Sequence, residues 1–131
     1  MSLYYNVTQR VNLQDPQCPK LWYPVLKSVG ILREKDVAML MADETTMNPK
    51  EAEMALYQFQ KILLREIAEG KIIEFSELGS FRLTLSATGM VLCEEVSSAC
   101  VQKINLRFQA SQNVNDLLQQ TKLISIDKLM F

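Results

Sequence analysis

The stretch that decides the fold runs from Gly70 to Leu83 and has the sequence GKIIEFSELGSFRL. Apolar Ile73 and Phe75 are two residues apart, which is the spacing of side chains on one face of a β-strand. Glu77-Leu78-Gly79 follows as a turn. Beyond the turn, an apolar set alternates with a polar set, namely Phe81, Leu83 and Leu85 with Arg82, Thr84 and Ser86. The pattern predicts a hairpin with one apolar face and one polar face.

The residues after this hairpin predict a connection, a third strand and a short helix. Residues 87–100 are irregular and contain Gly89. Alternation then returns, with apolar Ile104, Leu106 and Phe108 between polar Lys103, Asn105 and Arg107. Ser111 is placed to cap a helix from about 112 to 121. Residues 122–131 are apolar for a terminus, and we expect them to dock on their own subunit or on a partner.

The residues before the hairpin predict two helices joined by a turn. Residues 33–43 have apolar side chains at helical spacing, and Thr45-Thr46 marks the turn. Asn48-Pro49-Lys50-Glu51 combines a strong N-cap, a proline at the first helical position and a glutamate that can bond back to the cap. These signals predict a long helix over 49–69 that Gly70 ends.

The long helix has two apolar stripes. The broad stripe consists of Ala52, Ala55, Leu56, Phe59, Ile62, Leu63 and Ile67, and the second of Met54, Tyr57, Leu64 and Ala68. A helix that covers one small core needs a single stripe. Two stripes therefore predict a homodimer in which a second subunit covers the additional one. The alternative is cover by the N-terminal strands.

The N-terminal residues predict a β extension. Residues 3–11 alternate between two sets of side chains, as in a half-buried strand, and Leu21–Val29 is rich in β-branched and aromatic residues. Pro24 cannot donate to a ladder, so we expect it at a sheet edge or a bulge.

The composition excludes several kinds of chemistry. The chain has 131 residues, with 14 Lys and Arg against 15 Asp and Glu, and no histidine. His-dependent nucleophilic catalysis and His-ligated metal sites are therefore excluded. The three cysteines form no CxxC pair, which disfavours a disulfide scaffold and a four-cysteine zinc site. The net charge of −1 argues against a protein coated in positive charge, although it leaves room for a local basic patch.

The sequence also has no convincing catalytic motif. Asp43-Glu44 and Glu94-Glu95 are typical of solvated surface charge, and no cation adjoins Cys93 or Cys100 to activate the thiol. A glycine-rich phosphate loop is missing as well. We expect no enzyme activity, catalytic residue, metal, cofactor or small-molecule substrate. No apolar run is long enough to span a membrane and no secretion signal is visible, which predicts a cytoplasmic protein.

Two stretches resemble the HU/IHF family of histone-like DNA-binding proteins. Gly70–Leu83 resembles their first hairpin, and Ile104–Ser111 resembles the strand-to-helix return after their arm. With the helix pair at 33–69 the resemblance covers about 31–121, and the strands at 3–29 resemble the HU-like subgroup of Bacteroidetes-type bacteria. The implied fold is α+β: a helix-turn-helix pair, a three-stranded antiparallel sheet with a β-ribbon arm, a short C-terminal helix and an N-terminal strand extension. The implied organisation is a single HU-like domain over 1–131, comprising the β extension at 1–30, the HU-like core at 31–121 and the apolar tail at 122–131.

The resemblance also implies a function and a partner. Members of this family are intertwined dimers whose β arms wrap the minor groove of duplex DNA, with little sequence preference. Carried over to this chain, the phosphate contacts fall on Arg82, Lys103 and Arg107, and the arm residues that wedge between bases are Met90, Val91 and Leu92. The implied protein is a nucleoid-associated homodimer in the cytoplasm.

The arm departs from the family pattern and keeps other functions open. No Lys or Arg lies between Arg82 and Lys103, and Glu94-Glu95 adds negative charge there. The alternative is an HU-fold protein-interaction or assembly module that has lost DNA binding. A third hypothesis, a helix-turn-helix reader that uses helix 49–69, is disfavoured because a recognition helix needs a polar face for the bases.

Overall fold

A computed structural model describes residues 1–10, 13–15 and 17–126 of the chain. The helices and strands are, in chain order, β1 (Ser2–Arg10), β2 (Leu21–Lys27), α1 (Glu34–Glu44), α2 (Pro49–Ala68), β3 (Ile73–Phe75), β4 (Gly79–Ala87), β5 (Val101–Ala110), α3 (Gln112–Gln119) and β6 (Lys122–Ser125). They group into two compact units, one of Arg33–Asp116 and one of Met1–Leu32 with the segment that begins at Leu117. The single domain over 1–131 stays a prediction.

The predicted hairpin and third strand form an antiparallel sheet in the order β3-β4-β5. Phe81 pairs with Ile73 on one side and with Phe108 on the other, so the apolar residues share one face. A chain of aromatic contacts runs along this face to helix α2. The ring centroids are 5.0 Å apart for Phe108 and Phe81, 6.4 Å for Phe81 and Phe75, and 5.5 Å for Phe75 and Phe59 of α2. The alternation seen in the sequence therefore does separate an apolar, helix-facing side from a polar side.

Helix α2 begins at the predicted residue and ends at Ala68, one residue before the predicted 69. The Asn48 side chain accepts a hydrogen bond from the Glu51 backbone N–H at 2.9 Å, and Pro49 is the first helical residue. The Glu51 carboxylate in turn accepts from the Asn48 side-chain amide at 2.9 Å, which is the predicted bond back to the cap residue, made to its side chain. At the C-terminus Gly70 has φ 86°, and the N–H groups of Gly70 and Lys71 donate to the carbonyls of Ile67 and Glu66. This pair of bonds is the Schellman ending that favours glycine.

The predicted arm is a two-stranded ribbon only at its base. Strands β4 and β5 pair from Gly79 opposite Ala110 to Ala87 opposite Val101, with a register shift at Ser86 and Ala87. Between the strands, Cys93–Glu95 and Ser98–Cys100 form two short 3₁₀ helices. Residues 88–100 lack the period-two alternation that would continue a ribbon, so the chain turns tightly at the tip.

Helix α3 is capped by Ser111, as predicted. The Ser111 hydroxyl accepts from the Val114 backbone N–H at 3.2 Å and donates to the Glu77 carbonyl at 2.7 Å. The helix ends at Gln119, two residues before the predicted 121. Ser111 thus ties the start of α3 to the turn that precedes β4.

The N-terminal strands form a second sheet, in the order β2-β1-β6. Strand β2 is antiparallel to β1 and lies at the sheet edge, where Pro24 is tolerated, as predicted. Strand β6 is parallel to β1, so the first residues of the predicted tail dock on their own chain. Val11 of the predicted first strand and residues 127–131 of the tail lie outside the described residues.

Few apolar side chains are buried in the described part of the chain. The buried ones are Ala38, Ala52, Ile67 and Cys100. The second stripe of α2 is open to solvent, with Met54 71% and Leu64 62% exposed, and on the broad stripe Phe59 and Ile62 are about 40% exposed. Among the described residues, no helix is both long enough and apolar enough to cross a membrane.

Candidate nucleic-acid interface

The polar face of the β4–β5 pair holds all three predicted phosphate-binding residues. Side chains directly opposite each other in an antiparallel pair lie on the same face. The cross-strand pairs on this face are Ser80 with Gln109, Arg82 with Arg107, Thr84 with Asn105 and Ser86 with Lys103. The sequence prediction that these cations share a surface agrees with the register.

Arg82 and Arg107 are direct cross-strand partners in the centre of this face. Like charges placed directly opposite cost free energy in a sheet, unless an anion binds between them. Arg82 is half-buried, and its Nη2 donates to the Ser80 hydroxyl at 3.3 Å. Its Nε is buried and has no hydrogen-bond partner within the described part of the chain. The Nη groups of Arg82 make one hydrogen bond to the described residues, so they, and not the buried Nε, have donor capacity that an added acceptor can use.

A polar pocket of about 390 Å³ adjoins Arg82 at the end of the sheet. Its polar lining includes Ser80, Gln109, Ser111 and Gln112, which surround the start of α3. The first N–H groups of a helix have no partner within the helix and lie at the positive end of its dipole. An arginine beside a helix N-terminus is an arrangement that binds phosphate oxygens.

Glu74 is the residue in this pocket that opposes an anion. It lines the pocket and pairs with Ser80 across the β3–β4 ladder. Its carboxylate is exposed, so water screens its repulsion of a bound phosphate. The pocket thus combines one positive side chain, neutral donors and one screened negative charge.

Gly79 allows the two strands to approach at the edge of the pocket. Its φ is 138°, a region that L side chains rarely adopt. A Cβ at this position would overlap the backbone carbonyl oxygen of Gln109. The Gly-Ser-Phe turn is therefore the local sequence that places Ser80 and Arg82 opposite Gln109 and Arg107.

Lys103 and the arm residues lie farther along the ribbon. Lys103 is four residues from Arg107, which corresponds to roughly 13 Å along a strand. Met90, Val91 and Leu92 are exposed in the tip, Val91 by 98%. Glu94 and Glu95 lie in the first 3₁₀ helix of the same tip. The structure brings Arg82 and Arg107 together and places Lys103 on their face at a distance.

Sequence reasoning did not assign four of the residues around Arg82 to the site. They are Ser80, Gln109, Gln112 and Glu74, while Ser111 was predicted only as a cap. The period-two pattern already put Ser80 and Gln109 on the polar sides of their strands, so a register for the two strands could have found them. The place of Gln112 in the pocket depends on where α3 starts relative to the sheet, and the sequence pattern does not define that start.

Comparisons with known proteins show a family and a structural neighbour that this chain is similar to. The model of the HU-HIG family, described as an HU domain fused to a wHTH, Ig or glycine-rich motif, matches residues 1–125. A crystal structure from Bacteroides vulgatus ATCC 8482, of a "putative bacterial DNA binding protein", is similar with a TM-score of 0.63 and 10% identity. The match covers 95% of this chain and 48% of that chain, so this chain spans about half of its neighbour's length. No curated protein matches the chain.

Proposed function

The chain belongs to the HU-HIG family of HU domains, and we propose that it is a histone-like architectural protein that binds duplex DNA with little sequence preference. Membership confirms the HU resemblance of the sequence, and the matched family is an HU-type domain family and not a class of enzymes. The neighbour from Bacteroides vulgatus supports the fold. We accordingly propose a non-enzymatic role.

The observation that carries the proposal is the Arg82–Arg107 pair beside the start of α3. Arg82 and Arg107 are cross-strand partners on one polar face, where Lys103 is a third cation farther along the strand. The Nε of Arg82 is buried and has no partner within the described residues. A DNA phosphate supplies the negative charge and the acceptors that this arrangement lacks. Because phosphates are the same at every base pair, such contacts position the duplex without selecting a sequence.

The arm is proposed to add apolar contacts to this phosphate site. The arm residues Met90, Val91 and Leu92 are exposed at the end of the β4–β5 ribbon. Removing their apolar surface from water on binding is favourable. Architectural proteins insert such side chains between base steps and offset the cost of unstacking with additional bound surface. Lys103, on the ribbon between the tip and Arg107, is proposed to bind a further phosphate.

The exposed apolar surface of residues 33–116 supports a homodimer. The second stripe of α2 is open, and the apolar side of the ribbon is also exposed at Leu83, Leu85, Ile104 and Leu106. Exposed apolar surface of this extent is typical of a protein interface. A second copy is the proposed cover, and it gives each dimer two phosphate sites. The proposed location is the nucleoid, in the cytoplasm.

A protein-interaction module is the second candidate, and the arm tip favours it. Glu94 and Glu95 adjoin the exposed apolar residues, and the sequence has no cation between Arg82 and Lys103. On this hypothesis the tip contacts protein, and duplex DNA does not bind even at low salt.

A fluorescence anisotropy titration of a labelled 30-base-pair duplex tests the proposal at about 50 and 200 mM salt. Binding that weakens steeply with salt supports the phosphate site, since each contact adds about 0.9 to the logarithmic salt slope. No binding at the lower salt would reject DNA as the partner. Light scattering on the same samples measures the mass and tests the dimer.

A further inference from the structure

The sheet β2-β1-β6 has two chemically different faces. One face is largely apolar and holds Leu3, Tyr5, Val7, Trp22, Pro24, Leu26 and Leu123, with polar Gln9 and Ser125. The other face, here called the basic face, holds Tyr4, Asn6, Thr8, Arg10, Tyr23, Val25, Lys27, Lys122 and Ile124, with Leu21 at its end. Both assignments follow from the register, because paired residues on neighbouring strands point to the same side.

The three cations of the basic face meet no acidic side chain on the described strands. Lys27 pairs with Tyr4, Lys122 with Ser2 and Arg10 with Leu21. None of the positions in β1, β2 or β6 is Asp or Glu. All three cations are exposed, and no acidic residue of the sheet neutralises their charge.

The charge of the whole chain is divided unequally between the two units. Residues 33–116 contain nine Lys and Arg against thirteen Asp and Glu, a net charge of −4. The remaining residues contain five against two, a net charge of +3. The near-neutral total therefore conceals a basic N-terminal unit, and the unit that carries the arm is the acidic one.

The size and donors of the basic face suit a duplex. Strand β1 is about 27 Å long between Ser2 and Arg10, which corresponds to about eight base-pair steps of 3.4 Å. Asn6 and Thr8 border a groove of about 510 Å³ together with Arg10, and their side chains donate hydrogen bonds. Polar donors interspersed with cations are the usual phosphate-binding side chains of DNA-binding proteins.

We propose that the basic face of the N-terminal sheet binds the phosphate backbone of duplex DNA through Arg10, Lys27 and Lys122. This inference rests on the proposed function, because it names a second surface for the same ligand. It differs from the Arg82 site in that no residue of the HU-like core takes part. It also explains how a chain with an acidic arm-bearing unit can bind DNA, since within a Debye length of about 8–10 Å the local charge of the contacting surface outweighs the total charge of the chain.

The test uses the full chain and three double variants with the same change in net charge. One of them, Arg82→Gln/Arg107→Gln, removes the two arginines of the other proposed phosphate site. The variant Arg10→Gln/Lys27→Gln removes two cations of the basic face. Arg10 is the last residue of β1 and Lys27 the last of β2, so replacing these side chains has little effect on the hydrogen bonds between the strands. The control, Lys35→Gln/Lys50→Gln, removes two cations from α1 and α2. Anisotropy with the 30-base-pair duplex is read between about 50 and 200 mM salt, and circular dichroism checks the fold.

We expect the basic-face variant to bind at least tenfold more weakly near 0.1 M salt and to lose about 1.8 from the logarithmic salt slope for each protomer that contacts the duplex, at about 0.9 per contact. The control stays within about twofold of wild type. If Arg10→Gln/Lys27→Gln misfolds, the single variant Lys122→Gln, with a slope change of about 0.9, replaces it.

Four other outcomes overturn the inference. If Arg82→Gln/Arg107→Gln weakens binding and the basic-face variant does not, DNA binds the proposed site alone and the proposed function stands. If the control variant Lys35→Gln/Lys50→Gln weakens binding as much as Arg10→Gln/Lys27→Gln does, the net charge of the chain and not the basic face is responsible. If the basic-face variant lowers only the mass in light scattering, the face binds the acidic unit of a second copy. Wild-type protein that fails to bind at all rejects the proposed function itself.

Discussion

Arg82 and Arg107 lie directly opposite each other across the β4–β5 ladder, and the Arg82 side chain donates to Ser80 while its Nε has no partner in the described part of the chain. A pair of like charges at this spacing stabilises a sheet only when a counter-charge is present. We therefore expect a bound anion to stabilise the Arg82–Arg107 pair relative to the free protein.

Arg82→Gln is expected to weaken duplex binding by at least roughly eightfold near 0.1 M salt, because each phosphate contact contributes about 0.9 to the salt slope and each protomer of the proposed dimer loses one. Thermal stability of the free protein should stay level or rise slightly, since the repulsion from Arg107 is removed. Anisotropy and a thermal melt measure the two effects. Lys35→Gln is the matched control, and equal binding by wild type and Arg82→Gln would contradict the assigned site.

Sulfate should stabilise the wild type more than Arg107→Gln. The anion fills the place of a phosphate between the two guanidinium groups and binds only the folded chain. The general stabilising effect of sulfate acts on both proteins, so the difference in melting-temperature shift isolates the site. Identical shifts in the two proteins at about 50 mM sodium sulfate would show that no anion binds there.

Gly79→Ala should lower the free energy of unfolding by at least about 2 kcal/mol, because alanine is strained at φ 138° and its Cβ overlaps the Gln109 carbonyl. Gly89→Ala is the matched control, since no atom lies within 4 Å of a Cβ built there. Its unfolding free energy should change by less than about 1 kcal/mol. Urea unfolding of both variants measures the contrast, and equal loss in both would contradict the close approach at Gly79.

Leu64→Glu should reduce the mass in light scattering from dimer to monomer, because a charge on the open stripe of α2 cannot be desolvated in an interface. In wild type, the melting temperature should rise with protein concentration, as for any folded state that requires association. Gln58→Glu, on the same helix, is the control. A dimer that survives Leu64→Glu would place the interface elsewhere.

Lys71→Met should raise the pKa of Glu66 towards its ordinary value. Hydrogen bonds from Lys71 at 2.7 Å and from Arg65 at 3.2 Å hold that pKa below its usual range, and the same contact raises the pKa of Lys71. The contribution of Glu66 to stability is present above its unfolded-state pKa and is lost as the pH falls through the lowered value.

The contribution of Lys71 is present below its own unfolded-state pKa and is lost as the pH rises through the raised value. A carbon-detected NMR titration of the Glu66 carboxylate in wild type and Lys71→Met follows the shift directly. Lys35→Met is the control, and an unchanged Glu66 pKa in Lys71→Met would show that the ion pair does not form in solution.

Local signals in the sequence were sufficient for the helices and the hairpin. Asn48, Pro49 and Gly70 fix both ends of α2 through backbone hydrogen bonds to nearby residues, so the chain needs no distant contact to define them. The alternation around Gly79 likewise defined both faces of the β4–β5 pair.

Relations between distant segments could not be predicted in the same way. The pairing of β6 with β1 depends on residues about 120 positions apart, and no periodicity within either strand encodes it. The pocket beside Arg82 likewise depends on where α3 begins relative to the sheet. The division of charge between the two units was present in the sequence but became visible only when the structure gave the boundaries.

The parallel pairing of β1 with β6 sets an order of events during synthesis. Strand β1 leaves the ribosome first, but its neighbour β6 follows about 120 residues later, after the whole of the helix and hairpin segment. Closing so long a loop is slow and is favoured only once the intervening chain is compact. The N-terminal sheet is therefore completed last, and until then β1 exposes an unpaired edge that the nascent chain must keep from other strands.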